Sequence, residues 1–555
     1  MDILQRKTTP PRINKSATST SVRQFKVHFI LISLIVILWN TIFAGTAPSD
    51  GVRLVVNEQP LFVVPFLIGN TALSSDCRHV QYSVGRGNKT RVGLDGVESD
   101  SYDTVRDLSF SPDATRTAYV ARRNTKFFLV VDGIEQPEFS NIIQGVFETT
   151  AGRLRVSGGE DIQRSSLLFS PNSKRMLYFA VRDGRIFAVC DGKDGPPLDE
   201  IAGFGGIFSA DSKRLAYSGT RDGIDRLIVD GTDQPITGRV GALAFSPDST
   251  RLVHAVARGT KWIMVVDGKE GPPLDVLDKG MLFCSNSEHF AYSGDRGGKG
   301  VVVLDGRVTA EFDSITNQTL QFSPDSERFA YIVSKHGSQS VVIDGKGDGE
   351  FSGVVWDLEF SPNSRRVLYI VVEGENRSLI LDGKRVAASG SVLSAVFSPD
   401  SRRVAYLDQT TGAYRVVVDD FRSPPYECVG LNEQHLSPGI VKGHFIFFTP
   451  DSRHFVYAAL RRGKWVMVVD GKEGAEYDRI NFNSLFLSPS GAHVAYSAGR
   501  GGENFSVLDN VERKTYPASA FRFVSDERIE GLALRLNSRF EDEWIRVTIN
   551  ILPND

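Results

Sequence analysis

Short hydrophobic runs recur along this chain, separated by clusters of Gly, Pro, Asp and Ser, and within them apolar and polar positions alternate with a period of two. The block "FSPDSRRVAY" (397–406) returns as "FSPDSERFAY" at 322, "FSPNSRRVLY" at 360, "FSADSKRLAY" at 208 and "FTPDSRHFVY" at 448. Its leading apolar residue stands at Leu73, Phe110, Phe169, Phe208, Phe245, Phe283, Phe322, Phe360, Phe397, Phe448 and Leu487. Nine positions on comes a tyrosine in every repeat but the fifth, which has His254, and twenty-two positions on comes an aspartate in all eleven. The apolar run before the leader predicts one strand, and "PDS" predicts a turn. "RRVAYL" alternates as a half-buried strand, and "VVVDG" ends in a hairpin signal. A weaker fourth strand follows. Four short antiparallel strands in about 38 residues make a propeller blade, and a blade needs a neighbour on each face.

The words "FSPDSRRVAY" and "VVVDG" resemble the bacterial WD-repeat-like, TolB-type β-propeller repeat family over roughly residues 71–515. The resemblance implies an all-β propeller fold and participation in an envelope complex. The chain departs from the family where the turn usually has Gly: Ser249, Ser326 and Ser401 stand there, and Gly491 keeps the glycine. Neither the small α/β domain of TolB nor the hydrolase domain of propeller peptidases is found.

Two leader intervals are long, Phe110 to Phe169 and Phe397 to Phe448, with seven repeats between them. Read as crossings between rings, they predict two propellers of about 11–12 blades in all. One is seven-bladed, at 167–430; the other is split between 52–166 and 436–555, and the apolar stretch 52–66 pairs with the C-terminal end to close it. A sequential six-plus-six arrangement is the rival. The extra stretch 145–159 reads as a half-formed blade.

Residues 1–26 hold six Lys/Arg against one Asp, and 27–45 carry no formal charge over 19 residues, long enough for a transmembrane helix. With the basic tail cytoplasmic, the body is extracytoplasmic, periplasmic or extracellular. A cleaved signal peptide is the competing reading. The net charge of −3 leaves a mildly acidic body, which argues against nucleic acid as a partner. Cys77, Cys190, Cys284 and Cys428 show neither a disulfide framework nor metal spacing.

The chemistry is sparse. The eleven aspartates read as turn residues rather than calcium ligands, because the spacing that converges six to eight oxygens is missing. His79, His289, His454 and His493 share one repeat position, held elsewhere by Arg, and read as solvated strand-start residues paired with Asp or Asn three before them (Asp113, Asp400 and Asp451 at that place). No Gly-x-Ser-x-Gly, Ser-x-x-Lys or phosphate-binding loop stands in a fitting context. His254 breaks the tyrosine rule, and Trp262 and Trp465 occupy matching places; these three are the candidate binding residues. No catalytic residue, metal ligand or cofactor is assigned. Asn88, Asn317, Asn376 and Asn504 begin Asn-x-Ser/Thr sequons. The expectation is a membrane-anchored binding or scaffold protein for an envelope protein or polymer. An enzyme with its site at a propeller mouth, or an accessory subunit of a peptidase, is the alternative.

Overall fold

The computed structural model describes residues 53–63, 68–144, 147–148, 164–165, 167–386, 390–430, 445–514, 518–539 and 541–552. The described residues form strands and turns and no helix. Twelve antiparallel sheets follow one another, each with strands a, b, c and d in sequence order: 68–98, 104–135, 141–194, 200–235, 239–270, 276–312, 314–351, 354–385, 391–422, 428–477, 479–514, and a twelfth from 518–552 with 53–63. These are blades 1 to 12. First strands of successive blades approach each other, as 68–73 does 104–110 and 200–208 does 239–245, so the a strands lie innermost.

The aspartate at the c–d turn explains the invariant offset. It adopts left-handed φ near 50° in the Asp-Gly turn, as a type I′ hairpin requires. Its Oδ1 accepts the N–H that starts strand b (Leu215 to Asp230, 2.8 Å), and its Oδ2 accepts from the Arg or His one residue earlier (Arg214 Nε, 3.1 Å). One side chain thus ties turn, strand and neighbouring charge, and no insertion is tolerated between them. The tyrosines are core residues, 0% to 7% exposed, on the face toward the preceding blade.

Twelve apolar clusters bridge consecutive blades and leave no gap. The last joins blade 12 to blade 1, with Leu532 and Trp544 packed on Val80 and Tyr82. The expectation of two propellers is therefore corrected to one ring of twelve blades. Blade 3 packs on blade 2, and blade 9 on blade 10, where two rings would have separated them. Neither long interval is a crossing. In blade 3, Asn141–Ile142 and Leu167–Phe169 both pair with Met176–Arg182, so the extra residues leave and rejoin one inner strand. In blade 10, Cys428–Val429 and Phe447–Phe448 share Phe455–Arg461 in the same way. Most of the stretch 145–159 lies outside the described residues, although Phe147–Glu148 pairs with Arg164–Ser165.

The expected pairing of 52–66 with the C-terminal end is present: Arg53–Val63 runs antiparallel to Asp542–Leu552 as the d strand of blade 12. The apolar run 27–45 lies outside the described residues, among which no helix is long and apolar enough to cross a membrane.

Candidate functional site: where the repeat is broken

The serine that ends the a–b turn has a structural task. Ser249 holds φ at 67°, and its Oγ accepts the N–H of Asp211 in the preceding blade's turn at 2.9 Å. Eight consecutive seams, from blades 2/3 to 9/10, carry this staple. The position is Cys77 in blade 1 and Ala114 in blade 2, and it is Gly491 in blade 11, where Thr449 replaces the usual Ser in the blade before it and a Cβ at 491 would collide with the Thr449 side chain.

The Arg at the start of strand b is half-buried rather than freely solvated. Arg214 lies 4.9 Å over the Phe245 ring of the next blade and donates through Nη1 to the Thr250 carbonyl at 2.8 Å. Equivalent stacking recurs for Arg116, Arg175, Arg251, Arg328, Arg366 and Arg403. The four histidines pair not with the Asp three residues before but with the c–d turn aspartates: His79 with Asp95 (2.6 Å), His289 with Asp305 (2.7 Å), His454 with Asp470, and His493 with Asp509 (2.5 Å). Asp113 instead accepts the N–H of Thr115 and the hydroxyl of Ser111, which hold its carboxyl below the usual carboxylate range.

The three sequence candidates do not meet. His254 is buried at the blade 4/5 seam, and its Nδ1 has no protein partner. Burial, with Arg258 nearby, depresses its pKa to about 4, so the ring is neutral. Trp262 lies on the opposite face of blade 5, toward blade 6, over Gly241. Trp465 is buried at the 10/11 seam.

A denser set of departures lies at the 8/9 seam and includes residues the sequence reading missed. Eleven positions after the leader every other repeat has Val, Ala or Gly; blade 9 has Asp408, fully buried, with Arg422 Nη1 at 3.5 Å. One position before the leader, blade 8 has Glu359, half-buried on the inner strand, where burial first and then Asp357 raise its pKa to about 7. Trp356 shares that face, with its Nε1 buried and unpaired and the Arg377 guanidinium 5.4 Å over its ring. Comparing the repeats column by column would have exposed both carboxyls. A carboxyl titrating near neutrality can exchange a proton with a bound group, and the Trp–Arg pair offers a flat cationic surface.

Among the described residues no group of three or more His, Cys, Asp or Glu is placed to hold a metal ion. A cleft of about 240 Å³ opens between the outer strands of blades 6 and 7, lined by Thr309, Phe312, Tyr331, Lys335, Gln339 and Glu350. It is smaller than the usual ligand pocket of about 300–1,000 Å³.

No family model and no curated protein matches this chain. Solved structures do resemble it. A eukaryotic initiation factor is 13% identical, with a TM-score of 0.31 over 60% of this chain and 90% of that one. A putative TolB from Agrobacterium tumefaciens is 14% identical, with a TM-score of 0.21 over 35% and 84%. The β-propeller domain of the Trilobed protease from Pyrococcus furiosus is 15% identical, with a TM-score of 0.23 over 50% and 97%. Likeness at this distance carries no argument about activity, and the propeller is read from the strand topology itself.

Proposed function

We propose that the chain is a membrane-anchored, extracytoplasmic propeller that works by binding, as a scaffold for an envelope protein or polymer. One observation carries this reading: the side chains the repeat multiplies are consumed in holding blades together, and the departures from it are scattered over seams 4/5, 5/6, 8/9 and 10/11. Departures dispersed around a constant frame, rather than gathered at one point, suit recognition of a large partner better than turnover of a small one. In-cell crosslinking of the tagged full-length protein tests it, with mass spectrometry of the captured material. One dominant envelope partner supports the scaffold. Background alone counts against it.

A second reading, an enzyme at the ring's inner wall, draws on Glu359 and Asp357. A carboxyl that burial raises toward neutrality beside a second carboxyl is a frequent acid–base arrangement. Turnover of an envelope glycan or peptide that disappears in Glu359→Gln, while the ring stays folded, would favour it.

A further inference from the structure

The two faces of the ring differ in what their turns present. The a–b and c–d turns open on one face, the b–c turns and d–a connections on the other. At the tip of the c–d turn, one residue after the Asp-Gly, most blades place an exposed polar side chain: Lys193, Thr232, Lys269, Arg307, Lys346, Lys384 and Lys472. Blades 1 and 2 place Val97 and Ile134 there, 75% and 66% exposed. Blade 12, between them and blade 11, adds exposed Val55, Val524 and Leu552 at the same end of its strands. The a–b turns of blades 3, 4, 8, 9 and 10 add exposed Lys174, Lys213, Arg365, Arg402 and Arg453. This face thus has one apolar sector, and around it the cations stand among exposed acids, with Lys213, Arg402 and Arg453 paired to Asp211, Asp400 and Asp451 of their own turns.

The chain enters the ring beside that sector. Arg53 pairs with Leu552, and Ile551 donates its N–H to the carbonyl of Glu527 at the a–b turn of blade 12, so the first strand begins on the a–b face. Residues 46–52 are all that separate it from the uncharged run 27–45, and seven residues reach about 25 Å at most. The opposite face is differently marked. Three of the four Asn-x-Ser/Thr asparagines, Asn88, Asn376 and Asn504, are exposed there at b–c turns, and Asn317 is exposed where the inner strand of blade 7 is interrupted.

The geometry points to the a–b face as the surface apposed to a lipid bilayer. Val97, Ile134 and the exposed end of blade 12 dip into the interface beside the anchor. This rests on the membrane-anchored reading above. Aliphatic tips gain by leaving water. The b–c face, with its sequons, is left outward for a partner.

The test reconstitutes the full-length chain in anionic vesicles containing a lipid with a photoactivatable group near the headgroup, then maps lipid adducts by mass spectrometry. Adducts are expected on residues 27–45 and on peptides with Val97 and Ile134, and not on those with Ile224 and Val354, which are exposed on the b–c face. Paired Val97→Asp and Ile134→Asp substitutions, at exposed tips where the fold is indifferent, should remove most of the turn adducts and keep those on 27–45. Adducts on 27–45 but none on the turns overturn the apposition and leave the anchor standing. Absence of adducts on 27–45 overturns the anchor, and the apposition with it.

Discussion

Replacing Ser249 by alanine and, separately, by glycine sets two opposed effects against each other. Ser249 Oγ is the acceptor for the Asp211 N–H across the 4/5 seam, in a site 4% exposed. Its φ of 67° lies in the region that costs a residue with a Cβ roughly 1–2 kcal/mol. Alanine loses the hydrogen bond, worth about 1 kcal/mol net, and keeps the backbone cost. Glycine loses the bond but is relieved of that cost, less about 0.5–1 kcal/mol for its greater freedom when unfolded. Ser249→Ala should therefore destabilise by about 1 kcal/mol and Ser249→Gly by roughly half of that or less. Two readouts separate the contributions. The Asp211 amide should exchange about fivefold faster in both variants, since 1.4 kcal/mol is a factor of ten. The denaturation midpoint should fall clearly only in the alanine variant. Equal losses of stability would refute the backbone part of the reasoning; unchanged exchange at Asp211 would refute the staple.

Three further outcomes follow from the same geometry. His254 is neutral and buried with a pKa near 4, so the unfolded chain binds the extra proton; stability falls as pH drops from about 6.5 toward 4, by up to ~2 kcal/mol at pH 5. His254→Phe should flatten that segment of the pH–stability profile and change little at pH 7.5. Cys190, its thiol pushed up to about 11 mainly by burial and then by Asp191, should react with iodoacetamide at pH 8 about a hundredfold more slowly than a free thiol in an unfolded control. Among the seams, those of blades 10/11, 11/12, 12/1 and 1/2 lack both the serine staple and the arginine stack, so hydrogen exchange in rising denaturant should open blades 11, 12 and 1 before blades 3–5.

The blade and its strands were legible because the repeat states them eleven times, and the fixed twenty-two-residue offset has a direct cause in the two hydrogen bonds of each turn aspartate. The strand 53–63 was legible as a closing element because its apolar alternation has no partner nearby in sequence. Ring size was not. Each blade offers the same apolar faces to either neighbour, so a long interval looks alike whether it joins two rings or loops out of one inner strand. The residues 141–142 and 167–169 settle that only through their shared partner strand. The histidine pairing differs for a similar reason: Asp451 is near His454 in sequence, but the antiparallel b and c strands bring Asp470, sixteen residues later, to the ring instead. Asp408 and Glu359 were legible in principle, as the charges in repeat columns that are otherwise uncharged.

A ring of near-identical blades has no stop signal in its seams, so something other than the repeat must end it. Here the seams change character toward the ends of the chain. The serine staple stops after blade 9/10; at 11/12 the Ser490 N–H and hydroxyl both donate to Asp526 (2.9 and 2.8 Å), and at 12/1 Arg78 meets Glu530 at 3.0 Å. Exposed ties of this kind contribute at most about 1 kcal/mol each. Main-chain pairing takes their place: ten residue pairs join 53–63 to 542–552, both strands longer than the six-residue c strands of the other blades. An insertion of one blade anywhere in the staple-bearing sector would leave every local tie intact and still misplace these two strands. Twelve blades are therefore fixed by whether the strand 53–63 can reach the strand 542–552.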